Sequence, residues 1–378
     1  GPPQRRGIAI AAHVMHMKDK SMDNNGKDAV IRLMRGDEKK ATRKVLYRSF
    51  GWFKGAFATF SPHTFIALKD DKIVAGVILE LFTLPNGRKT GKVAWIFTAP
   101  QARGLKLGQR LTEKALEFFN EQGCDEYIAA VEGNNTSSSK LFATRGFDIL
   151  SPGAQFERYG RWTFLMWLKM FHYMTPGFFL WARPGVHKPD SPVLQWTATL
   201  ILNLLILLIY VLPDQSNFSL YLFYSISFAL LLGARQVAMQ TAAGIMKSKV
   251  RFRIWESGFP LSFVIAILLR GFFPVLGNVY PADKVWNYRR RIPLLGKIAL
   301  YGISGVIVPL LGVWTYVQLS GMSNPMVNSF LTVGKFFLIF DLLFFFFPFS
   351  GFNGRRLWDW NKLLWALTAL PALAIIFL

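Results

Sequence analysis

Long apolar runs in the C-terminal half constrain this chain more than any other feature of its sequence. Several of them reach the length of about 20 residues that a helix needs to cross a bilayer. They are Val193–Leu212, Ser219–Ala242, Phe259–Phe273, Ile298–Leu319, Phe330–Phe347 and Leu363–Leu378. We therefore expect residues 193–378 to form an all-α, multi-pass membrane domain.

The loops between these runs differ in charge. Lys247–Arg253 carries four Lys or Arg residues, Lys284–Lys297 carries five and Arg355–Lys362 carries three, whereas Asp214–Phe218 and Ser320–Ser329 carry none. Basic loops stay in the cytosol, and the net charge of +22 is concentrated between apolar runs, where it faces anionic lipid. We expect an integral membrane protein with a cytosolic soluble half, and a lipid bilayer rather than a nucleic acid as partner.

One apolar run does not fit a pattern in which successive loops alternate between the two sides of the membrane. Both flanks of Phe259–Val279 are basic, so both belong on the cytosolic side although only one run separates them. Gly271, Pro274 and Gly277 interrupt that run. The pattern predicts a re-entrant hairpin here, buried in protein because irregular backbone is not tolerated against lipid. About five spanning helices are expected in the rest of the membrane domain.

The N-terminal half alternates between strand-like and helix-like segments and is typical of a soluble α/β domain over residues 28–168. Alternating β-branched residues predict strands, with Asp70-Asp71 as the turn of a hairpin, over Ala29–Met34, Thr64–Lys69, Ile73–Thr83, Gly91–Thr98 and Glu126–Val131. A period of 3.6 residues predicts helices over Asp37–Phe50, Leu107–Gln122 and Ser137–Ala143. We expect residues 1–27 to be a tag or a disordered N-terminus.

A glycine-bearing loop connects the strand ending at Thr98 to the helix beginning at Leu107. Backbone N–H groups in such a loop, together with the positive end of the helix dipole, form a cradle for phosphate. The loop resembles the acyl-CoA loop of the GNAT superfamily of N-acetyltransferases, R/Q-x-x-G-x-G/A, with Arg103 in the first place and Gly108 in the last. Lys106 stands where the middle glycine is usual. This departure from the pattern is tolerable if the backbone there stays helical, and the ammonium group could then contact phosphate.

A second segment continues this resemblance. Asn135 to Phe147 follows the family pattern N-x-x-A-x-x-L-Y-x-x-x-G-F, in which the Asn contacts the pantetheine arm and the Tyr protonates the departing thiolate. That tyrosine is Phe142 here, which cannot donate a proton. The resemblance implies an α+β fold with a mixed, mostly antiparallel sheet and flanking helices, and acetyl-CoA as co-substrate. It also implies a set of cofactor-binding residues: Phe97, Thr98, Arg103, Gly104, Leu105, Lys106, Leu107, Gly108, Asn135 and Phe142.

The catalytic base is less defined than the cofactor loop. In the family a strand-borne Glu, or a water, deprotonates the acceptor amine, and Glu80 and Glu132 are the candidates here; the alternative for each is a solvated surface carboxylate. Direct transfer is expected because Cys124, the only thiol, has no evident partner base. The acceptor is an amine near the cytosolic membrane surface, on a protein, a lipid or a small molecule. The alternative function is a non-catalytic protein that senses acetyl-CoA or binds transmembrane segments.

Residues 156–181 are unusually rich in aromatic side chains. We expect Phe156–Trp162 to supply the last strand of the sheet, and residues 169–192 to form an interfacial connector, since Trp and Tyr prefer the headgroup region. The alternative is a pair of buried strands.

The membrane domain shows a second resemblance. The order of Arg235–Ala243, Lys249–Gly258, Asp341–Leu343 and Phe352–Gly354 resembles the archaeal type of site-2 intramembrane metalloprotease. Its ligand and catalytic positions carry the wrong chemistry, because guanidinium, thioether and amide groups do not hold zinc. These positions hold Arg235 and Gln236, then Met239, and finally Asn353. The resemblance implies no metal and no proteolysis, with a transmembrane-segment client left open; the alternative is a generic five-helix anchor. A buried Arg235 is expected to pair with Asp341, because a lone charge inside an apolar helix is costly.

Overall fold

The computed structural model describes residues 29–185, 190–211 and 218–377. These residues form two compact units that divide between Ala129 and Ala130. The expectation for residues 1–27 concerns a part of the chain outside the described residues.

The first unit is built on a mostly antiparallel sheet. Its strands follow the order β1-β2-β3-β4-β5, and only the β4–β5 pair is parallel. They are β1 (Val30–Leu33), β2 (His63–Lys69), β3 (Lys72–Thr83), β4 (Lys89–Thr98) and β5 (Glu126–Glu132), the last of which runs into the second unit. The five strands predicted between Ala29 and Val131 are all present, with ends that differ by at most two residues.

Three helices accompany these strands: α1 (Lys39–Phe50), α2 (Trp52–Ala56) and α3 (Leu107–Glu121). Helix α3 buries Leu107, Leu111 and Phe119, which share one face because they are four or eight residues apart. Gly91 in β4 allows this packing, since an added Cβ would lie 2.5 Å from the Phe119 ring.

The predicted hairpin between β2 and β3 turns at Asp70 and Asp71. Both residues have positive φ, 49° and 56°. Two consecutive residues with positive φ match the right-handed twist of the flanking strands, and aspartate tolerates that conformation better than most residues.

The second unit begins with the end of β5 and then adds short helices and two strands. The strand order here is β5-β7-β6. The elements are α4 (Thr136–Ala143), β6 (Asp148–Ile149), α5 (Pro152–Tyr159), α6 (Thr163–Lys169) and β7 (Phe178–Arg183).

The last strand is therefore not Phe156–Trp162, and that prediction is wrong. Ser151 accepts a hydrogen bond from the Ala154 N–H and Pro152 follows it, a combination that starts a helix. Strand β7 takes the place beside β5 instead, with Phe179, Leu180 and Trp181 buried. For this part of residues 169–192, the buried-strand alternative is the one observed.

From Pro192 onward, the described residues of the second unit contain seven α-helices. They are α7 (Pro192–Val211), α8 (Phe218–Ile245), α9 (Phe259–Leu269), α10 (Tyr288–Ser320), α11 (Pro325–Phe337), α12 (Asn353–Trp360) and α13 (Lys362–Phe377). Helix α11 continues as a π-helix over Leu338–Leu343. Among the described residues, four helices are long and apolar enough to cross a membrane: Pro192–Val211, Phe218–Ile245, Tyr288–Ser320 and Pro325–Leu343.

Helix α9 belongs to a segment that folds back on itself. Strand β8 (Val250–Arg253) precedes the helix and pairs antiparallel with β9 (Asn278–Pro281), which follows it. Between α9 and β9 the chain is irregular, and it reverses at Arg270, whose φ is 49°. Because β8 pairs with β9, the two ends of this segment lie next to each other.

Candidate functional site

The loop before α3 presents an uncapped helix N-terminus. Lys106 is the N-cap residue and its side chain makes no capping hydrogen bond. In the part of the chain that the structure describes, the N–H groups of residues 104–108 donate to no other group. A Cβ placed on Gly104 or Gly108 would meet no atom within 4 Å. Free N–H donors beside open space, at the positive end of a helix, suit the pyrophosphate of a nucleotide-like ligand.

Lys106 does not have the helical backbone that the sequence suggested. Its φ of 54° and ψ of 17° lie in the left-handed region, which costs a residue with a Cβ about 1 kcal/mol or more. The family pattern has glycine at this place, and glycine adopts this conformation without that cost. The loop therefore keeps the shape that a glycine would give and holds a lysine in it under strain.

Phe97 and Thr98 close strand β4, immediately before the loop. The Phe97 side chain is 1% exposed, and an added Cβ on Gly76 would lie 2.5 Å from its Cζ. Its ring therefore belongs to the core, so that only its backbone is available to a ligand. The parallel pairing of β4 with β5 covers Thr90–Val93, before the strand reaches Phe97.

Asn135 and Phe142 lie on the second unit, at the two ends of α4. Asn135 caps the helix by accepting a hydrogen bond from the Ser138 N–H at 3.1 Å, which leaves its amide nitrogen to donate to a ligand. Phe142 is 3% exposed and packs edge to face on Phe147, with ring centroids 5.0 Å apart. Phe142 thus serves as a core residue at the position where the family has a proton donor.

Glu80 forms an ion pair across the sheet. Lys92 is its register partner on β4, and the Lys92 Nζ lies 3.0 Å from Glu80 Oε2, with side-chain exposures of 8% for Lys92 and 40% for Glu80. The half-exposed carboxylate of Glu80 thus neutralises the charge of the buried Lys92. Glu80 is therefore engaged in holding β3 and β4 together.

Glu132 occupies the carboxyl end of β5 and is half-buried. It accepts a hydrogen bond from the Ser350 hydroxyl at 2.5 Å. Beside it lies a cavity of about 20 Å³, whose walls include Tyr280, Trp286 and Tyr288. Neither candidate base is a simple solvated carboxylate, and Ser350, which lies 218 residues from Glu132 along the chain, carried no signal in the sequence.

Cys124 is the only thiol in the chain. Burial raises the pKa of the Cys124 thiol, an effect larger than the opposing influence of nearby Lys89. A raised pKa lowers the fraction of thiolate, which is the nucleophilic form.

The second unit also contains a buried cluster of polar side chains built from helices α8 and α12 and the π-helix. Arg235 binds Asp341 through two hydrogen bonds, Nε to Oδ2 at 2.7 Å and Nη2 to Oδ1 at 2.9 Å. Both side chains are buried, at 0% and 4% exposure. The third arm of the guanidinium, Nη1, donates to the Gly277 carbonyl at 3.0 Å. The pairing expected of these two residues is confirmed.

Asn353 joins the same cluster. Its side-chain nitrogen donates to Asp341 Oδ2 at 2.9 Å and lies 3.7 Å from the Met239 sulfur, and its backbone N–H donates to Asp341 Oδ1 at 3.2 Å. Gln236 stands apart, and its buried Oε1 has no hydrogen-bond partner among the described residues. The structure thus brings together four of the five positions singled out in the membrane half.

Sequence reasoning missed two members of this cluster, Asn278 and Arg356. Arg356 appeared to be a charge of a basic loop, but it is 4% exposed and donates to Asn278 Oδ1 at 3.0 Å and to the Val279 carbonyl at 2.7 Å. The Asn278 side chain in turn donates to Asn353 Oδ1 at 3.1 Å. In the described ranges no three His, Cys, Asp or Glu side chains come together.

Comparisons with known proteins concern the N-terminal part of the chain. The model of the acetyltransferase (GNAT) family matches residues 28–147. Mycothiol acetyltransferase of Corynebacterium jeikeium is 33% identical over 64 residues, which are 17% of this chain and 19% of that protein. N-alpha-acetyltransferase 30 of Schizosaccharomyces pombe is 23% identical over 118 residues, which are 31% of this chain and 75% of that protein.

A solved structure, the ribosomal-protein-S18-alanine N-acetyltransferase of Escherichia coli, superposes with a TM-score of 0.30 at 15% identity, covering 41% of this chain and 92% of that one. The present chain spans about a fifth to a third of the length of the mycothiol acetyltransferases that it matches. The family match covers the strands, the phosphate loop and the Asn135–Phe147 segment, and residues 28–147 are therefore an acetyltransferase domain of the GNAT family.

Proposed function

We propose that this protein is a membrane-tethered N-acetyltransferase that transfers acetyl from acetyl-CoA to an amine. The observation that carries this proposal is the uncapped N-terminus of α3, with free N–H groups and open space at Gly104 and Gly108. Residues 103–108 hold the pyrophosphate, and Asn135 is available to the pantetheine arm. Acetyl-CoA supplies the thioester: the amine nitrogen forms the new C–N bond, the C–S bond breaks and CoA leaves as thiolate.

Glu132 is the better candidate for the base that takes the amine proton. Glu80 is neutralised by a lysine 3.0 Å away, whereas Glu132 lies at the carboxyl end of β5 and accepts a hydrogen bond from the Ser350 hydroxyl. A positioned carboxylate contributes about 100-fold or more to such proton transfers. Burial of the Cys124 thiol supports direct transfer to the amine without an acetyl-cysteine intermediate.

Phe142 favours a second candidate function, the non-catalytic sensing of acetyl-CoA. The buried phenyl ring cannot protonate the departing thiolate. A thiolate is a fair leaving group, so the loss of this acid slows transfer without abolishing it. The two functions differ in turnover and not in binding.

A measurement of thiol release from acetyl-CoA distinguishes the acetyltransferase from the sensor. Two probes cover the acceptor classes: a peptide with a free N-terminus, and vesicles containing phosphatidylethanolamine. We expect turnover with at least one probe, a loss of about 100-fold in kcat for Glu132→Gln, and a change of less than about threefold for Glu80→Gln as the matched control. Binding of acetyl-CoA without turnover in the parent protein would establish the sensor instead.

The second unit is proposed to anchor the protein in a bilayer. The four long apolar helices span it, the basic loops face the cytosol, and so does the acetyltransferase domain. Helix α9 and its return segment form a re-entrant hairpin, since α9 has 11 residues and reaches only about half of the hydrocarbon thickness.

The hydrogen bonds of the return segment support this re-entrant placement. The Asn203 side chain bonds both the N–H and the C=O of Val275, each at 2.9 Å. Ser262 donates to the Phe273 carbonyl and Arg235 to that of Gly277. Irregular backbone at membrane depth needs such internal partners.

The membrane half is further proposed to be a site-2-protease-like domain without proteolytic activity. The co-location of Arg235, Met239, Asp341 and Asn353 supports it, because these are the positions that would surround the metal in the protease. Three of the four side chains have no affinity for zinc. Elemental analysis of the purified protein is the test: one equivalent of zinc that disappears in Asn353→Ala would refute this reading. A transmembrane segment of another protein is a client that such a domain is suited to bind.

A further inference from the structure

Ser350 lies on a turn between two helical elements of the second unit. The π-helix ends at Leu343 before it, and α12 begins at Asn353 after it. The Ser350 hydroxyl nevertheless donates to Glu132, at the end of the strand that also belongs to the acetyltransferase sheet, at 2.5 Å. A hydroxyl that donates to a carboxylate forms a short, strong hydrogen bond that fixes the direction of the carboxylate.

The turn that carries Ser350 is locked against its surroundings through backbone contacts. A Cβ added to Gly351 would lie 2.5 Å from the Pro176 carbonyl carbon and 2.6 Å from the Gly177 nitrogen. The Gly177 carbonyl in turn accepts from the Gly133 N–H at 2.8 Å, one residue after Glu132. Three turns therefore meet at glycines, and none of them has room to shift without moving the others.

The other side of the same turn is tied to the buried ion pair. The Asn278 side chain donates to the Gly351 carbonyl at 2.9 Å. Asn353, two residues further along, donates to Asp341 through both its backbone and its side chain. Hydrogen bonds through Asn353 and Asn278 thus connect the Arg235–Asp341 pair to Gly351, the residue after Ser350.

A small cavity lies beside Glu132. The cavity of about 20 Å³ there is lined by Gly133, Tyr288 and Ser350 among others. That volume holds about one water molecule. The turn that carries Ser350 thus forms part of the wall of this cavity.

We propose that Ser350 is a positioning residue for Glu132, so that the apolar half of the chain supplies part of the catalytic apparatus of the acetyltransferase. This inference rests on the proposed function, in which Glu132 takes the amine proton. Ser350 holds the carboxylate in the direction in which it meets the amine. The buried polar cluster holds Ser350 in place.

Kinetics of thiol release test the inference with the peptide and vesicle probes. Ser350→Ala is expected to lower kcat about tenfold, the effect of one hydrogen bond lost in the transition state, with the KM for acetyl-CoA unchanged within about twofold. Ser350→Thr keeps the hydroxyl and restores kcat to within about threefold of the parent. Ser329→Ala is the control, since Ser329 is a buried serine that bonds only within its own helix.

A double variant shows whether Ser350 acts through Glu132. In a Glu132→Gln background, Ser350→Ala is expected to have no further effect on kcat, because coupled residues are not additive. Full additivity, or a Ser350→Ala variant as fast as the parent while Glu132→Gln is slow, overturns the inference and leaves the proposed function standing. A parent protein that binds acetyl-CoA but releases no thiol with either probe overturns the proposed function instead.

Infrared spectroscopy gives a readout that does not depend on the acceptor. The difference spectrum between the parent and Glu132→Gln isolates the carboxylate stretching bands of Glu132. We expect these bands to shift in Ser350→Ala and to return in Ser350→Thr. Bands that are identical in the parent and in Ser350→Ala would show that the contact does not orient the carboxylate.

Discussion

Each unit contains an ion pair between an arginine and a carboxylate, and the two pairs differ in how deeply they are buried. Arg32 and Glu38 in the first unit bind through two hydrogen bonds, at 2.9 and 2.6 Å, with side-chain exposures of 29% and 16%. Arg235 and Asp341 in the second unit bind through two of 2.7 and 2.9 Å, with exposures of 0% and 4%. The geometry is equal, but water can replace either partner only in the first unit. Burial therefore decides how much each pair contributes to the stability of the protein, more than the geometry of the hydrogen bonds does.

The backbone shows the same contrast. In the first unit, the N–H and C=O groups along the paired sides of β1 to β4 are satisfied by ladder hydrogen bonds between neighbouring strands. In the second unit, side chains satisfy the irregular backbone after α9, and Asn203 alone serves both groups of Val275. Buried polar side chains in the second unit therefore have a structural role. Removing one of them leaves another buried polar group without its hydrogen-bond partner.

The largest expected effect comes from the buried ion pair. Arg235→Met and Asp341→Leu are each expected to lower the free energy of unfolding by about 3–5 kcal/mol, because each leaves an unpaired buried charge. The double variant should recover much of that loss, since it removes both charges. Thermal unfolding in detergent measures all three. Losses that simply add in the double variant would mean that the two residues stabilise the protein independently.

The next effect concerns Asn203. Asn203→Leu leaves the N–H and C=O of Val275 without their partners and is expected to cost about 2–4 kcal/mol. Asn120→Leu, on the exposed side of α3, is the matched control and should change the unfolding temperature little. Equal unfolding temperatures for Asn203→Leu and the parent would show that another group replaces the asparagine.

A smaller effect, of opposite sign, is expected at Lys106. Lys106→Gly removes the left-handed strain and should stabilise the protein by about 1 kcal/mol. If the ammonium group contacts phosphate, the same change weakens acetyl-CoA binding, and so does Lys106→Asn, which tolerates the left-handed conformation but lacks the charge. Unfolding and binding curves of both variants separate backbone from charge. Unchanged affinity in both would assign the lysine no part in phosphate binding.

The smallest effect belongs to the half-buried pair of the first unit, Arg32 and Glu38. The Arg32 guanidinium lowers the pKa of Glu38 from 4.5 to about 2. Because the folded-state pKa is depressed, the stabilisation is present above about pH 4.5 and is lost as the pH falls toward 2. Glu38→Gln should shift Tm by at most about two degrees at pH 7, and by nothing near pH 2. A shift as large as that of Asp341→Leu would break the contrast between the two pairs.

Local pattern was enough to predict the strands of the first unit, its hairpin at Asp70-Asp71 and the helix after the phosphate loop. Turn chemistry and periodicity act within a few residues, so they are legible in sequence. The left-handed Lys106 was missed because its conformation is imposed by the loop against the preference of the residue. Strand β7 was misplaced because apolar aromatic runs suit a buried strand as well as a membrane surface.

The other features of the fold and the candidate site depend on contacts between residues that are far apart in the sequence. Arg235 and Asp341 were predictable as a pair because two charges inside apolar helices need each other. Arg356 resembled any other loop charge, and only the fold buries it against Asn278. The contact of Ser350 with Glu132 depends on three turns meeting at glycines, for which no short pattern exists.

Calorimetric titration with acetyl-CoA tests the central claim, that the N-terminus of α3 binds the pyrophosphate of an acyl-CoA. We expect heat of binding in the parent and a loss of affinity of at least about tenfold in Gly108→Trp, whose side chain fills the open space in front of the helix. Gly36→Trp adds the same bulk at another open glycine of the first unit and should bind like the parent. Absence of heat at millimolar acetyl-CoA, or equal affinity in the parent and Gly108→Trp, would contradict the claim.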